Sequence, residues 1–236
     1  ADQTPTVRHV VVFDPRGTRD IEDPRLLSWE AFMERGRASV QQDWFAHRLA
    51  ERDADDAAMV VYTSGTTGEP KGALLSSRNV LETSRSMAPL LGVRPEDSLL
   101  SYLPLCHVAE KIFSEFLPLT VGCTVHFGES IETIQADLRE VSPTVFLGVP
   151  RIWEKMHASV SLRMSDASWL KRTLYDICVP LGAELAKKRR RGGLSVLDRI
   201  RWFLCDLLIF RALQERLGLR RCDLPCSGAA PISPDL

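Results

Sequence analysis

The chain has 236 residues, of which 44% are hydrophobic and 26% charged, with a formal net charge of −1. That length and apolar content suffice for one or two globular domains with a buried core, and the balanced charge lacks the strongly basic face of nucleic-acid binders, so no nucleic-acid partner is expected. Six cysteines spread over positions 106, 123, 178, 205, 222 and 226 are too sparse for a disulfide-stapled secreted scaffold, and Cys222 and Cys226 have no second close pair to complete a zinc site; reduced thiols point to the cytoplasm.

Taken in chain order, Ala1-Asp2-Gln3-Thr4-Pro5 has neither the basic nor the apolar segment of a secretory signal. Residues 7–13 read as a strand that stops at Asp14-Pro15. Leu27-Ser28-Trp29 opens a predicted helical stretch through Arg37. Residues 59–62 form a short apolar strand that runs straight into a Gly/Thr/Ser loop. Ser77 is the expected cap of a helix over residues 78–90. Strands follow at 98–103, ended by Pro104, and at 123–127, closed by Gly128. A helix is predicted over 131–140, a buried strand over 144–147, and a helix over 150–164 with Pro150 in its first turn. Residues 221–225 read as the last strand, before Ser227-Gly228-Ala229-Ala230-Pro231.

Strands separated by helices predict an α/β fold, with a mostly parallel sheet and flanking helices. The first strand has no evident partner upstream and the chain closes on Ser-Pro-Asp-Leu without a terminal helix, so sheet neighbours are expected beyond both ends. Between residues 181 and 217 the character changes. Lys187-Lys188-Arg189-Arg190-Arg191 and Gly192-Gly193 precede a long helix whose Leu194, Leu197, Ile200, Leu204, Leu207, Leu208 and Leu217 step largely by three and four, giving one wide apolar face. Its longest apolar run, residues 202–210, is broken by Asp206 and falls far short of the roughly 20 residues that span a bilayer.

The sharpest signal is Tyr62-Thr63-Ser64-Gly65-Thr66-Thr67-Gly68-Glu69-Pro70-Lys71-Gly72, in which four hydroxyl side chains and two glycines fall within six residues. Glycines let the backbone approach a ligand closely, successive N–H groups form an anion-binding nest, and Lys71 adds a point charge. A polyphosphate matches that donor set better than the alternative of a Thr/Gly-rich surface turn. The loop is neither a Walker A motif nor a Gly-x-Gly-x-x-Gly fingerprint, so neither of those folds follows from it.

With the preceding Val61, this loop resembles the phosphate-loop signature of the adenylate-forming (AMP-binding) superfamily. Tyr102-Leu103-Pro104-Leu105-Cys106-His107-Val108 resembles that superfamily's Leu-Pro-x-x-His motif, and Ser227-Gly228-Ala229-Ala230-Pro231 its adenine-site turn. Residues 143–155, Pro-Thr-Val-Phe-Leu-Gly-Val-Pro-Arg-Ile-Trp-Glu-Lys, are similar to the long-chain and bubblegum-type fatty acyl-CoA synthetases and argue against an amino- or aryl-acid adenylation domain. The resemblance implies part of the large N-terminal domain of an adenylate-forming enzyme. Residues 1–236 would be a partial adenylation domain, and the small C-terminal domain would be absent. The implied reaction is ATP-dependent activation of a long-chain fatty acid to acyl-adenylate and then acyl-CoA. Fatty acid, ATP and coenzyme A are the expected partners, and Mg²⁺ the expected metal.

By the same resemblance, Thr63, Ser64, Gly65, Thr66, Thr67, Gly68 and Lys71 would hold the phosphates, with Thr63 also helping to hold Mg²⁺. His107 would be catalytic in the sense of orienting substrate at the α-phosphate. Val108, Ser227, Gly228, Ala229, Ala230 and Pro231 would border the adenine and the acyl chain. A lone histidine is more often structural, and only the surrounding motif favours a functional His107; His9, His47, His126 and His157 have no such setting. Cys106 has no evident acid partner, so a Cys/His nucleophile is not expected. Lys111 stands where some long-chain members carry an aromatic gate, leaving Phe113 or Phe116 as candidates. The run at 187–191 reads as a solvated face beside a helix packed on the core, or as a weak contact with anionic lipid by an enzyme peripheral to the membrane.

The resemblance also implies elements that this chain does not contain: a Tyr-Gly-x-Thr-Glu stretch with a metal-binding glutamate, a ribose-binding aspartate and a catalytic lysine. Two readings therefore stay open, a ligase represented by a truncated segment that is inactive alone, and a noncatalytic remnant that binds nucleotide, lipid or a partner chain.

Overall fold

The computed structural model describes residues 5–39, 43–63, 69–228 and 230–233. The chain divides into two compact units, Ala1–Asp53 and Ala54–Leu236.

In the first unit, β1 (Val10–Val12) pairs in parallel with β2 (Leu26–Ser28), and α1 (Trp29–Ser39) and α2 (Trp44–Ala50) follow. The strand expected over 7–13 is only three residues long, and Leu27-Ser28 pairs as a strand where a helix start was expected. Arg25 explains the difference. Its backbone N–H and guanidinium both donate to the Asp23 carboxylate, at 2.9 and 2.7 Å, and the turn so made aims residues 26–28 along β1. Helix begins only at Trp29, which stacks on Phe13 at 4.8 Å.

The second unit opens with an antiparallel hairpin, β3 (Ala57–Thr63) and β4 (Lys71–Ser76), whose last pair is Thr63 opposite Lys71. The sequence reading assigned no strand to residues 71–76, so this second arm is a finding of the structure. Helix α3 (Ser77–Leu91) is capped one residue earlier than expected. The Ser76 hydroxyl accepts from the Asn79 N–H at 3.2 Å, and the Asn79 side chain accepts from the Ser76 N–H at 3.0 Å, a reciprocal box that satisfies two otherwise orphan donors.

A four-stranded parallel sheet follows, formed by β5 (Ser98–Ser101), β6 (Thr124–Phe127), β7 (Val145–Gly148) and β8 (Leu224–Ser227) in the order β6-β5-β7-β8. Between β5 and β6 the chain forms α4 (Val108–Lys111), a π-helical turn (Ile112–Phe116) and α5 (Leu117–Val121). Helix α6 (Ile134–Val141) joins β6 to β7. Between β7 and β8 lie α7 (Pro150–Ser165), α8 (Trp169–Arg191), α9 (Val196–Cys205), a second π-helical turn (Asp206–Phe210) and α10 (Arg211–Leu217).

Alternation along β5 and β7 divides the core between the two faces of the sheet. Leu99 and Val145 join Val93, Leu117 and Cys123 on one face. Leu100 and Phe146 join Ile134, Leu138, Ile152 and Met156 on the other. The central strands are therefore buried on both sides and read as runs without polar alternation, as parallel strands covered by helices do. The predicted α/β class and parallel sheet with flanking helices are what the second unit has.

The apolar helix expected to pack on the core behaves differently. Val196, Leu197, Ile200, Phe203, Leu204 and Leu207 are each close to half exposed or more, reaching 76% at Val196. The opposite side of the helix carries its buried residues, Asp198 and Cys205.

Candidate active site

Because β5, β7 and β8 are parallel neighbours, their C-terminal ends lie at one edge of the sheet. The chain leaves β5 toward β6 on one side and returns to β7 on the other, so the order reverses between β5 and β7. Open α/β sheets bind ligands in the crevice outside such a reversal. Three of the sequence-predicted stretches leave the sheet at this edge: residues 102–108 after β5, Val149 and Pro150 after β7, and Gly228 after β8.

Tyr102 stitches the reversal together. Its hydroxyl donates to the Leu147 carbonyl at 3.0 Å and accepts from the Val149 N–H at 3.1 Å, while its ring lies 5.7 Å from Phe146. Burial pushes the phenol up to about 12, so it stays protonated and keeps both bonds at ordinary pH. Tyr102→Phe is expected to cost about 1–2 kcal/mol by leaving the Val149 N–H short of a partner, read as a lower urea midpoint. The raised pKa also has a sign. The proton is held more tightly by the folded state, so this contribution is complete below pH 10 and is lost as pH rises from about 10 to about 12. Y102F should flatten that part of the stability curve.

His107 caps α4. Its Nδ1 accepts from the Ala109 N–H at 3.2 Å, which leaves the neutral ring's proton on Nε2 as an outward donor. The side chain is exposed, so the structural role in the cap and a role toward substrate are compatible. Among the described residues Cys106 makes no bond to it and is itself exposed. Lys111 is engaged with Glu115 at 2.9 Å, and Phe113 packs into the core beside Leu117.

The sequence reading passed over Glu110. This carboxylate is 2% exposed, and one of its oxygens accepts from the Ser101 and Ser114 hydroxyls, each at 2.6 Å. It ties the end of β5 to α4 and the π-helical turn, and so fixes where His107 and Val108 stand. No local signal marked it, since Lys111 follows it directly and such a Glu-Lys pair reads as a solvated face. Glu110→Leu is expected to lose about 1–3 kcal/mol, because two buried hydroxyls lose their acceptor. Glu110→Gln keeps an amide oxygen for both and is expected to lose less than half as much; equal losses in denaturant melts would refute this account.

Thr63 and Lys71 close the hairpin as a cross-strand pair, with the Thr63 hydroxyl donating to the Lys71 carbonyl at 3.4 Å, and both are exposed. The stretch carrying the phosphate-binding expectation thus has its two ends held about 5 Å apart. Ser64, Gly65, Thr66, Thr67 and Gly68, and Ala229 of the second turn, lie outside the described residues. Ser227 pairs with Gly148 at the end of β8, and Ala230 and Pro231 are exposed just beyond it. Cys222 and Cys226 are half-buried thiols raised by burial, to about 11 for Cys222. The described residues contain no group of three His, Cys, Asp or Glu side chains able to hold a metal, and none of their helices is long and apolar enough to cross a membrane.

The sequence matches the model of the AMP-binding enzyme family over residues 3–236. A long-chain-fatty-acid–CoA ligase ACSBG2 of Rattus norvegicus is 35% identical over 220 residues, which cover 89% of this chain and 32% of that protein. A long-chain-fatty-acid–CoA ligase ACSBG1 of Macaca fascicularis is 28% identical over 240 residues, covering 99% of this chain and 32% of the relative. The inhibitor-bound N-terminal domain of FACL13 from Mycobacterium tuberculosis is 25% identical, with a TM-score of 0.46 over 61% of this chain and 38% of that one. The chain spans about a third of the length of the curated relatives it matches.

Proposed function

This chain belongs to the AMP-binding enzyme family, and from that membership we propose that it is the nucleotide- and acyl-handling segment of a ligase that joins a long-chain fatty acid to coenzyme A through an acyl-adenylate. Residues 1–236 are then part of the adenylation domain, with the small C-terminal domain outside them. Relatives named as long-chain-fatty-acid–CoA ligases support the substrate class. The observation that carries the reading is the gathering of residues 102–108, Val149 and Gly228 at one sheet edge, at the reversal of strand order.

In the first half-reaction the fatty-acid carboxylate forms a bond to the α-phosphorus of ATP as the bond to pyrophosphate breaks. In the second, the CoA thiol loses its proton and its sulfur bonds to the acyl carbon as the bond from that carbon to the AMP phosphate oxygen breaks. Adenylation needs no strong base, because the carboxylate is already ionised, so this chain's contribution is to hold and neutralise charge. Ser64, Gly65, Thr66, Thr67 and Gly68, with the Lys71 ammonium, cradle the phosphates. His107 donates from Nε2 toward the reacting oxygens. Val108 borders the acyl chain, and Ser227, Gly228, Ala229, Ala230 and Pro231 flank the adenine. Thr63 would offer one hydroxyl oxygen to a Mg²⁺ bound with the nucleotide, which would supply further charge neutralisation.

The test is acyl-dependent exchange of pyrophosphate into ATP by the full-length gene product, with a series of fatty, aryl and amino acids. Exchange with long-chain acids is expected; exchange only with amino or aryl acids would overturn the substrate assignment, and none at all the ligase reading.

A cytoplasmic enzyme in weak contact with a membrane surface fits the outward stripe of α9. Arg199 and Arg201 flank the stripe, and Lys187, Lys188, Arg189, Arg190 and Arg191 end the preceding helix, although Lys188 also reaches Asp198 at 3.4 Å. Apolar faces edged with basic residues lie in the interface of anionic bilayers. Co-sedimentation with phosphatidylserine vesicles is expected to fall sharply between low salt and 1 M, where the Debye length is roughly 3 Å. Changing the five basic residues at 187–191 to glutamine should remove most of the low-salt binding, and undiminished binding would discard the contact.

A further inference from the structure

A cleft of about 550 Å³ opens where the last turn of α7 and the first turns of α8 meet the second π-helical turn and α10. Its volume lies within the roughly 300–1,000 Å³ of small-molecule sites. The strand-edge site is elsewhere: α7 starts at that edge with Pro150, and Met164 lies 14 residues further on, about 20 Å along the helix axis.

The lining has two characters. Met164, Ile209 and Leu213 form an apolar wall, and Arg163, Lys171 and Arg216 stand around it. None of these three cations has an ion-pair partner among the described residues. Asp166 is the one carboxylate on the lining, so the cleft keeps a surplus of two positive charges. A smaller cavity of about 50 Å³ adjoins it. The two share Arg163, Met164, Leu213 and Arg216, and Arg139 adds a further cation at the smaller end. The positive charge is therefore gathered where the two cavities meet, and the larger apolar space extends away from it.

An apolar wall has little to offer a bare polyanion, and unpaired guanidinium groups have little to offer an uncharged hydrocarbon. We propose that this cleft is a second ligand site, separate from the strand-edge site, for a single-chain anionic amphiphile of the long-chain fatty-acid class. The tail lies along Met164, Ile209 and Leu213. The carboxylate sits at Arg163 and Arg216, where planar guanidinium forks match it in two-point geometry. This assignment does not rest on the ligase reading.

The experiment is equilibrium dialysis of palmitate, below its aggregation limit, against the full-length protein that carries these residues. Two sites per chain are expected, and Arg163→Glu combined with Arg216→Glu should leave one. Leu213→Trp, which fills the apolar wall, should also leave one while retaining acyl-dependent pyrophosphate exchange. Hexadecanol should bind the cleft at least tenfold more weakly than palmitate. If the ligase reading alone fails, the wild type should bind one palmitate and both variants none. The proposal is overturned if neither variant changes the stoichiometry or if hexadecanol competes as well as palmitate.

Discussion

Valine in place of Gly65 or Gly68 is expected to reduce acyl-dependent pyrophosphate exchange in the full-length protein by roughly a hundredfold or more. Losing one preorganised donor at a developing charge costs about 2.7–4 kcal/mol of barrier. A branched side chain at either position removes more than a donor, since it fills the space that lets the backbone reach a phosphate and disfavours positive φ. The fold should survive, because the hairpin that closes on Thr63 and Lys71 is set by pairings from Ala57 to Ser76 outside the substituted residues. The measurement is exchange at saturating palmitate beside a thermal melt. Near-normal exchange in both variants would remove residues 64–68 from the phosphate site; a collapsed melt would move the effect from chemistry to folding.

Gly218→Ala is expected to be among the most destabilising single changes in the chain. Gly218 ends α10 at φ +73°, and a Cβ there would stand 2.2 Å from both the carbonyl carbon and the oxygen of Leu138 and 2.5 Å from the Arg139 nitrogen. These are backbone atoms of α6, which cannot turn away as a side chain can. Relief requires α10 to move off α6, and that opens the core around Leu138, which is 0% exposed. Gly92 isolates the two contributions. It ends α3 at φ +67°, but a Cβ there meets nothing within 4 Å. Gly92→Ala should therefore lose only the backbone preference, about 1 kcal/mol. Gly218→Ala should lose that plus the overlap, about 3 kcal/mol or more, a large share of the 5–15 kcal/mol that holds a typical domain. Urea melts of the two variants decide it, and equal losses would show that α10 is not seated against α6 as described.

What could be read from the sequence was what depends on near neighbours or on motifs. The run Ser98-Leu99-Leu100 is apolar enough to be a strand whichever face it buries, and Pro150 begins a helix wherever that helix packs. The alternation of strands and helices carried the parallel sheet with it.

Contacts between distant residues decided the rest. Nothing local distinguishes residues 71–76 from more loop; they become a strand because Val61 faces Ala73 and Tyr62 faces Gly72 across the hairpin. Leu26–Ser28 is a strand because β1 stands beside it, and sheet propensity measures such neighbours more than the backbone itself. Spacing showed that α9 has one apolar face but could not show that the face points outward, since periodicity fixes which residues share a side and not what lies opposite. Tyr102 and Glu110 acquired their roles the same way. Leu147 and Val149 are more than forty residues from Tyr102, and only the placement of β7 beside β5 brings their carbonyl and N–H within 3.1 Å of its hydroxyl.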